Sequence, residues 1–185
     1  MKTFRFVHAP IVTDRRKLAA ALNRCKARFA VVEGGTPPWA VRWRKTKGRS
    51  YAAVVGRRGT AALERGCQKI DIKPDLFVAY EVTIVDGVMV AVIGVHSVTG
   101  LDKSAGDQLV DLIAELRERH PGVEFILGGL FYDRDGITLI REMLDYLDTS
   151  WINEGDAWVA FSDGLSIVDW KIEDLRIEVD LAHVR

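Results

Sequence analysis

The residues of this sequence with chemistry to offer are carboxylates and imidazoles placed at the ends of apolar runs. Glu33 closes Phe29-Ala30-Val31-Val32 and precedes Gly34-Gly35, and His96 closes Val92-Ile93-Gly94-Val95. Asp133 and Asp135 follow the run from Phe125 to Tyr132, and Asp180 and His183 lie in the closing segment. Such groups bind cations and move protons near neutral pH, and strand ends in layered α/β folds meet at one rim, where sites form. Each also has a plainer use. Glu33 serves equally as a polar strand terminus, His96 as a histidine satisfied within the fold, Asp133 and Asp135 as turn and cap residues, and His183 as part of a frayed end. Their order and spacing, taken together, weigh for a shared site.

The elements that would position them follow from periodicity. Thr3 to Ala9 reads as a first strand. Thr13 or Asp14 caps a helix to about Lys26, with Leu18, Ala21, Leu22 and Cys25 on its buried face. Arg28 to Val32 is a buried strand, and Thr36-Pro37-Pro38 opens a loop. Ala40 to Trp43 and Tyr51 to Val55 read as strands around the basic turn Lys45-Thr46-Lys47-Gly48. Leu76 to Val85 and Val88 to Val95 form a hairpin, because Asp86-Gly87 between apolar runs is a type I′ turn signal. Gly100 to Gly106 reads as a loop and Asp107 as the cap of a helix ended by His120-Pro121-Gly122. A strand from Glu124 to Leu127, a helix from Thr138 to Leu147, and strands over Ala157 to Phe161, Leu165 to Ile172 and Leu175 to Val179 complete the chain. Helices interspersed with hairpins predict mixed sheets flanked by helices within one domain, residues 1–185. Leu22, Val31, Ile93, Leu112, Ile126 and Leu144 are expected in the core.

The 185 residues carry 26 Lys and Arg against 26 Asp and Glu, so the net charge is zero. Its distribution is uneven. Arg42, Arg44, Lys45, Lys47, Arg49, Arg57, Arg58, Arg65 and Lys69 face the single acid Glu64 between residues 42 and 69, and acids dominate from Asp145 to Asp180. Such asymmetry fits a surface for a polyanion or an intermolecular contact, and equally two surface halves that attract one another. Cys25 and Cys67 make neither a metal-ligand pattern nor a disulfide framework. The N-terminus lacks the apolar core of a signal peptide, and no apolar run reaches the roughly 20 residues that span a bilayer. A cytoplasmic protein, or one held within a larger assembly and away from membranes, is expected.

Taken in order along nearly the whole chain, these segments resemble the endonuclease/exonuclease/phosphatase, or DNase I-like, superfamily. Phe29 to Glu33 resembles the segment that ends in its metal-binding glutamate. Val92 to His96 resembles the strand ending in Asn-x-His. Phe125 to Tyr132, after a helix, resembles the segment carrying Gly-Asp-x-Asn, and Leu181-Ala182-His183 falls where the closing Ser-Asp-His belongs. The resemblance implies an α+β fold, a two-sheet β-sandwich flanked by helices in four layers, in a minimal version. It implies Mg2+ or Mn2+ on Glu33, His96 on the phosphate and His183 as the base that activates water. Several motif positions differ. Gly94 stands for the asparagine before His96, Leu130 and Tyr132 for the aspartate and asparagine of Gly-Asp-x-Asn, Ala182 for the closing aspartate, and His8 or Ala9 for a first-strand asparagine. Asp180, with Asp133 or Asp135, is then the candidate replacement carboxylate.

Two functions remain open on the sequence. One is a metal-dependent phosphodiester hydrolase of nuclease type, with Arg42, Arg44, Lys45, Lys47 and Arg49 tracking DNA or RNA and Trp43 and Tyr51 stacking on bases. The other is a catalytically inactive member of the fold, acting as a binding or structural component whose basic 42–69 and acidic 145–180 surfaces make the contacts.

Overall fold

A computed structural model describes residues 3–9, 15–33, 52–56, 62–70, 76–97, 103–130, 138–173 and 176–184. Alternation along the first strand sets the layers. In β1 (Thr3–Ala9), Phe4 and Phe6 pack into one core and Val7 and Ala9 into another, because successive strand residues face opposite ways. Leu22 of α1 (Arg15–Arg24) joins Val7 and Ala9 on the outer side. β2 (Phe29–Glu33) runs parallel to β1, and β3 (Ala52–Gly56) returns antiparallel to β2.

The second sheet begins with β4 (Ala62–Ile70) and the hairpin β5 (Leu76–Val85) and β6 (Val88–Ser97). The hairpin turn has φ 51° at Asp86 and 92° at Gly87, the two positive values a type I′ turn demands. α2 (Lys103–Arg119) crosses over to β7 (Glu124–Leu130), which lies parallel to β6. α3 (Thr138–Tyr146) leads to β8 (Thr149–Glu154) and β9 (Ala157–Ser162). β10 (Leu165–Glu173) and β11 (Arg176–His183) rejoin the first sheet. Among the described residues the strand orders are β10-β11-β1-β2-β3 and β4-β5-β6-β7-β9-β8.

Phe6, Phe29, Val31, Val92, Ile126, Val159 and Val179 fill the space between the sheets. α2 and α3 cover the other face of the second sheet through Leu109, Leu112, Leu116, Ile140 and Leu144. The layers are therefore helix, sheet, sheet, helices, the sandwich expected above. The six positions expected in the core are all buried. Gly128 lets the two sheets approach closely, since a Cβ there would lie 2.9 Å from Cζ of Phe6.

Several elements differ from the sequence reading; β7 reaches Leu130 and β11 reaches His183, beyond the Leu127 and Val179 ends expected. α2 starts at Lys103 rather than after Asp107, and it buries Ala105 and Gly106 in its first turns. β4 carries Glu64, Arg65, Gln68 and Lys69 and shows no apolar alternation, yet it pairs with β5 from Ala62 to Ile70 as the edge of its sheet. Charge suits an edge strand. β8, Thr149–Glu154, is likewise an edge, half-buried along much of its length.

Candidate functional site

Strand register fixes which ends of the sheets meet. In the first sheet Val32 pairs with Ala9 and Ile177 with His8, so Glu33 lies at the end where β1 finishes and β11 begins. At the other end Thr3 pairs with Ala182 and Leu165 with His183. In the second sheet His96 pairs with Leu130 at one end, and Val90 with Glu124 at the other. Gly164 ties the sheets together. Its oxygen accepts from Val184 N at 2.9 Å, and a Cβ on it would run into the Glu124 carboxylate. The Glu124 end thus belongs with His183, and the His96 end belongs with Glu33.

One rim therefore brings together Glu33 and His96. The connections 34–51, 98–102, 131–137 and 174–175 all leave strands at this rim. Asp133, Asp135, Arg42, Arg44, Lys45, Lys47 and Arg49 lie in two of these connections, outside the described residues. The 34–51 connection leaves after Glu33 and rejoins at Ala52, its register partner, so both ends of the basic segment are anchored at this rim.

His183 is not part of it. β1 spans seven residues between the two ends, so at about 3.3 Å per residue His183 stands some 20 Å or more from Glu33. His183, expected at the closing motif, is the last residue of β11. The imidazole lies 5.7 Å from the ring of Phe4, centre to centre, with both nitrogens buried and without hydrogen-bond partners among the described residues. It cannot serve as the base for chemistry at Glu33.

Asp180 does not orient His183 either. Three strand positions separate them, which puts them on opposite faces. On the outer face Asp180 takes a forked pair of hydrogen bonds from Arg5, at 2.7 Å from Nε and 2.6 Å from Nη2. Glu178 joins this group from Arg176, at 3.0 Å, and Arg5, at 3.8 Å. The bond to Asp180 raises the Arg5 pKa further, against the opposing effect of burial. Glu173 accepts from Lys171 at 2.8 Å and Arg176 at 2.6 Å. Much of the acidity of residues 173–180 is thus answered within the chain.

The described part of the rim is short of acid. Leu130, where the resembled motif has aspartate, is packed into the core between the sheets beside His96. Gly94, where it has asparagine, pairs with Gly128. His8 follows Phe4 and Phe6 by alternation onto the inner face and is fully buried next to Val31 and Ile177. The alternation Phe4, Phe6, His8 is the signal that marks it as an inward residue. Among the described residues no group of three or more His, Cys, Asp or Glu side chains comes together to hold a metal ion. The described donors therefore do not fit the Mg2+ or Mn2+ that the resemblance implies.

Charged groups elsewhere are structural. Glu64, the acid within the basic segment, ties β4 to the end of α2. Its carboxylate meets His120 Nε2 at 2.6 Å and accepts from Tyr80 at 2.8 Å and Arg119 at 3.0 Å. Burial works to raise the Glu64 pKa, but these donors prevail and lower it. Burial first, then the bond to Glu64, push the Tyr80 phenol up to about 12. Arg65, also from the basic segment, pairs at 3.3 Å with the buried Glu81, whose pKa burial raises. Among the described residues no helix is long and apolar enough to cross a membrane.

Comparison with solved structures places the architecture. The chain is similar to zebrafish (D. rerio) TDP2 complexed with a single-strand DNA product, at 10% identity and TM-score 0.71, covering 98% of this chain and 100% of that one. It is similar to an endonuclease/exonuclease/phosphatase from Bacteroides vulgatus, at 9% identity and TM-score 0.71 over the whole of both chains. It is also similar to the human Nocturnin catalytic domain with bound sulfate, at 8% identity and TM-score 0.74, covering 98% and 95%. No protein-family model and no curated protein matches the sequence.

Proposed function

We propose, from the endonuclease/exonuclease/phosphatase fold that this chain shares with those structures, that it binds the phosphate backbone of DNA or RNA at the rim of Glu33 and His96 without cleaving it. The observation that carries this reading is the position of His183, a sheet's length from Glu33. Leu130, apolar where hydrolases of this fold resemble one another in carrying aspartate, supports it. The connection whose sequence holds Arg42, Arg44, Lys45, Lys47 and Arg49 leaves and rejoins its sheet at this rim, through the paired Glu33 and Ala52, and the TDP2 structure with its DNA product is a precedent for nucleic acid on this fold.

A second reading, a Mg2+- or Mn2+-dependent phosphodiesterase with Glu33 as ligand and His96 on the phosphate, draws on the arrival of these two residues at one rim, from which the segment holding Asp133 also departs. Both readings meet in one experiment. Single-stranded DNA and RNA are titrated by fluorescence anisotropy across a salt series, and the same samples are run on denaturing gels after incubation with Mg2+ or Mn2+. We expect binding whose log K falls with log salt by about 0.7 per phosphate contacted. Joint charge reversal of Arg44, Lys45 and Lys47 should weaken it, and the strands should stay intact. Cleavage that Glu33→Gln abolishes would establish the hydrolase instead. Absence of binding at low salt would remove the nucleic-acid reading.

A further inference from the structure

The edge of the first sheet, as the described residues define it, exposes large apolar side chains on one face. β10 is the outermost described strand of its sheet. Opposite Leu181, Val179 and Ile177 of β11 it places Ile167, Trp170 and Ile172, so these continue the inner face of the sandwich. Ile167 and Trp170 lie beyond the cover of the second sheet, at 38% and 53% exposure, and Val168, the extra residue of a bulge, is 48% exposed. A hydrophobic edge strand is a template for another strand.

The edge also has an open donor and a self-complementary charge pattern. The Trp170 N–H is donated at 2.9 Å to the carboxylate of the adjacent Asp169, so it points away from β11 and out of the sheet. On the face opposite to Trp170, β10 carries Asp169, Lys171 and Glu173, all exposed. An antiparallel pairing of two β10 strands about a two-fold axis at Trp170 has a simple consequence. Each Trp170 N–H meets the other copy's Trp170 carbonyl, the two indoles lie side by side, Val168 faces Ile172, and Asp169 faces Lys171 twice. Such an interface is isologous and closes on itself.

We propose that β10 is a homodimer interface, formed by a second copy of this chain in that register. The opposing register is disfavoured, because a shift by one residue would place the charged residues of one copy against the apolar face of the other. Asp169 releases the Trp170 N–H to the partner's carbonyl and takes the partner's Lys171 in exchange. The dimer leaves the rim of Glu33 and His96 unpaired in the ladder, since β2 and β3 lie on the far side of the sheet.

The test uses the full chain in sedimentation equilibrium over low to high micromolar concentrations. Wild type should show a monomer–dimer equilibrium, and Trp170→Lys should be monomeric. Asp169→Lys alone and Lys171→Asp alone each set like charges opposite one another, and each should weaken the dimer by about tenfold or more. Mixed together, these two variants restore both opposite-charge pairs and should form a heterodimer as tight as wild type. All three sites are exposed, and circular dichroism of each variant is the check that it is folded. A wild type monomeric throughout overturns the proposal, as does a dimer indifferent to Trp170→Lys. A dimer lost in both charge variants and not recovered on mixing overturns the register and, with it, the proposed interface.

Discussion

Glu33 and His183 stand at opposite ends of one sheet, because β1 runs parallel to β2 and antiparallel to β11. Val32 pairs with Ala9, whereas Ala182 pairs with Thr3. Two residues that would have to act on one phosphate are thereby separated by the length of a strand, and no side-chain rotation spans that distance.

His183 consequently acts as packing, and its polarity is a cost. Among the described residues its two buried nitrogens have no hydrogen-bond partner beside Phe4. Replacing it with Phe should keep the ring contact, remove the unsatisfied atoms and raise stability by about 1 kcal/mol. Urea denaturation measures this, and nucleic-acid affinity should be unchanged. A loss of affinity would return His183 to the binding site.

Gly128 should tolerate no side chain. A Cβ would press on Phe6 at 2.9 Å and Val31 at 3.4 Å, inside a fully buried layer. Gly128→Ala should cost about 1–3 kcal/mol. Phe6→Leu in the same chain should recover part of that loss, a coupling that a double-mutant cycle reads directly.

The Glu64 cluster should make stability fall in acid. The Glu64 pKa is held below its ordinary value near 4.5 by its donors. Its contribution is then fully present above that value and disappears as pH drops through the lowered one. Glu64→Gln should lower the melting temperature at neutral pH, by roughly 1–2 kcal/mol in stability, and flatten the acid limb. An acid limb identical to wild type would show that the cluster adds nothing.

Glu81 should behave in the opposite sense. Burial raises its pKa above 4.5, and Arg65, at 3.3 Å, only partly offsets this. The folded state therefore holds this proton more tightly than the unfolded state, and stability is lost as pH rises from 4.5 through the raised value. Glu81→Gln keeps an acceptor for Arg65 and removes the buried charge. It should be more stable than wild type near pH 7 by about 1 kcal/mol, with the advantage vanishing in acid.

The sequence by itself determined most of the elements and the layer order. Alternation in β1, the apolar runs of β5, β6 and β7, the Asp86-Gly87 turn and the helical spacing in α2 and α3 are local signals, and local sterics and burial are enough to read them. β4 and β8 escaped because edge strands are half solvated, so charge and irregular pattern cost them little, and only pairing with β5 and β9 makes them strands. The site followed the same division. That Glu33 and His96 end apolar strands is written in the sequence. Whether two strand ends share a rim depends on strand direction and register, which arise from pairings far apart in the chain. His183 ends a strand just as Glu33 does, but β11 runs the other way, and only the assembled sheet shows it.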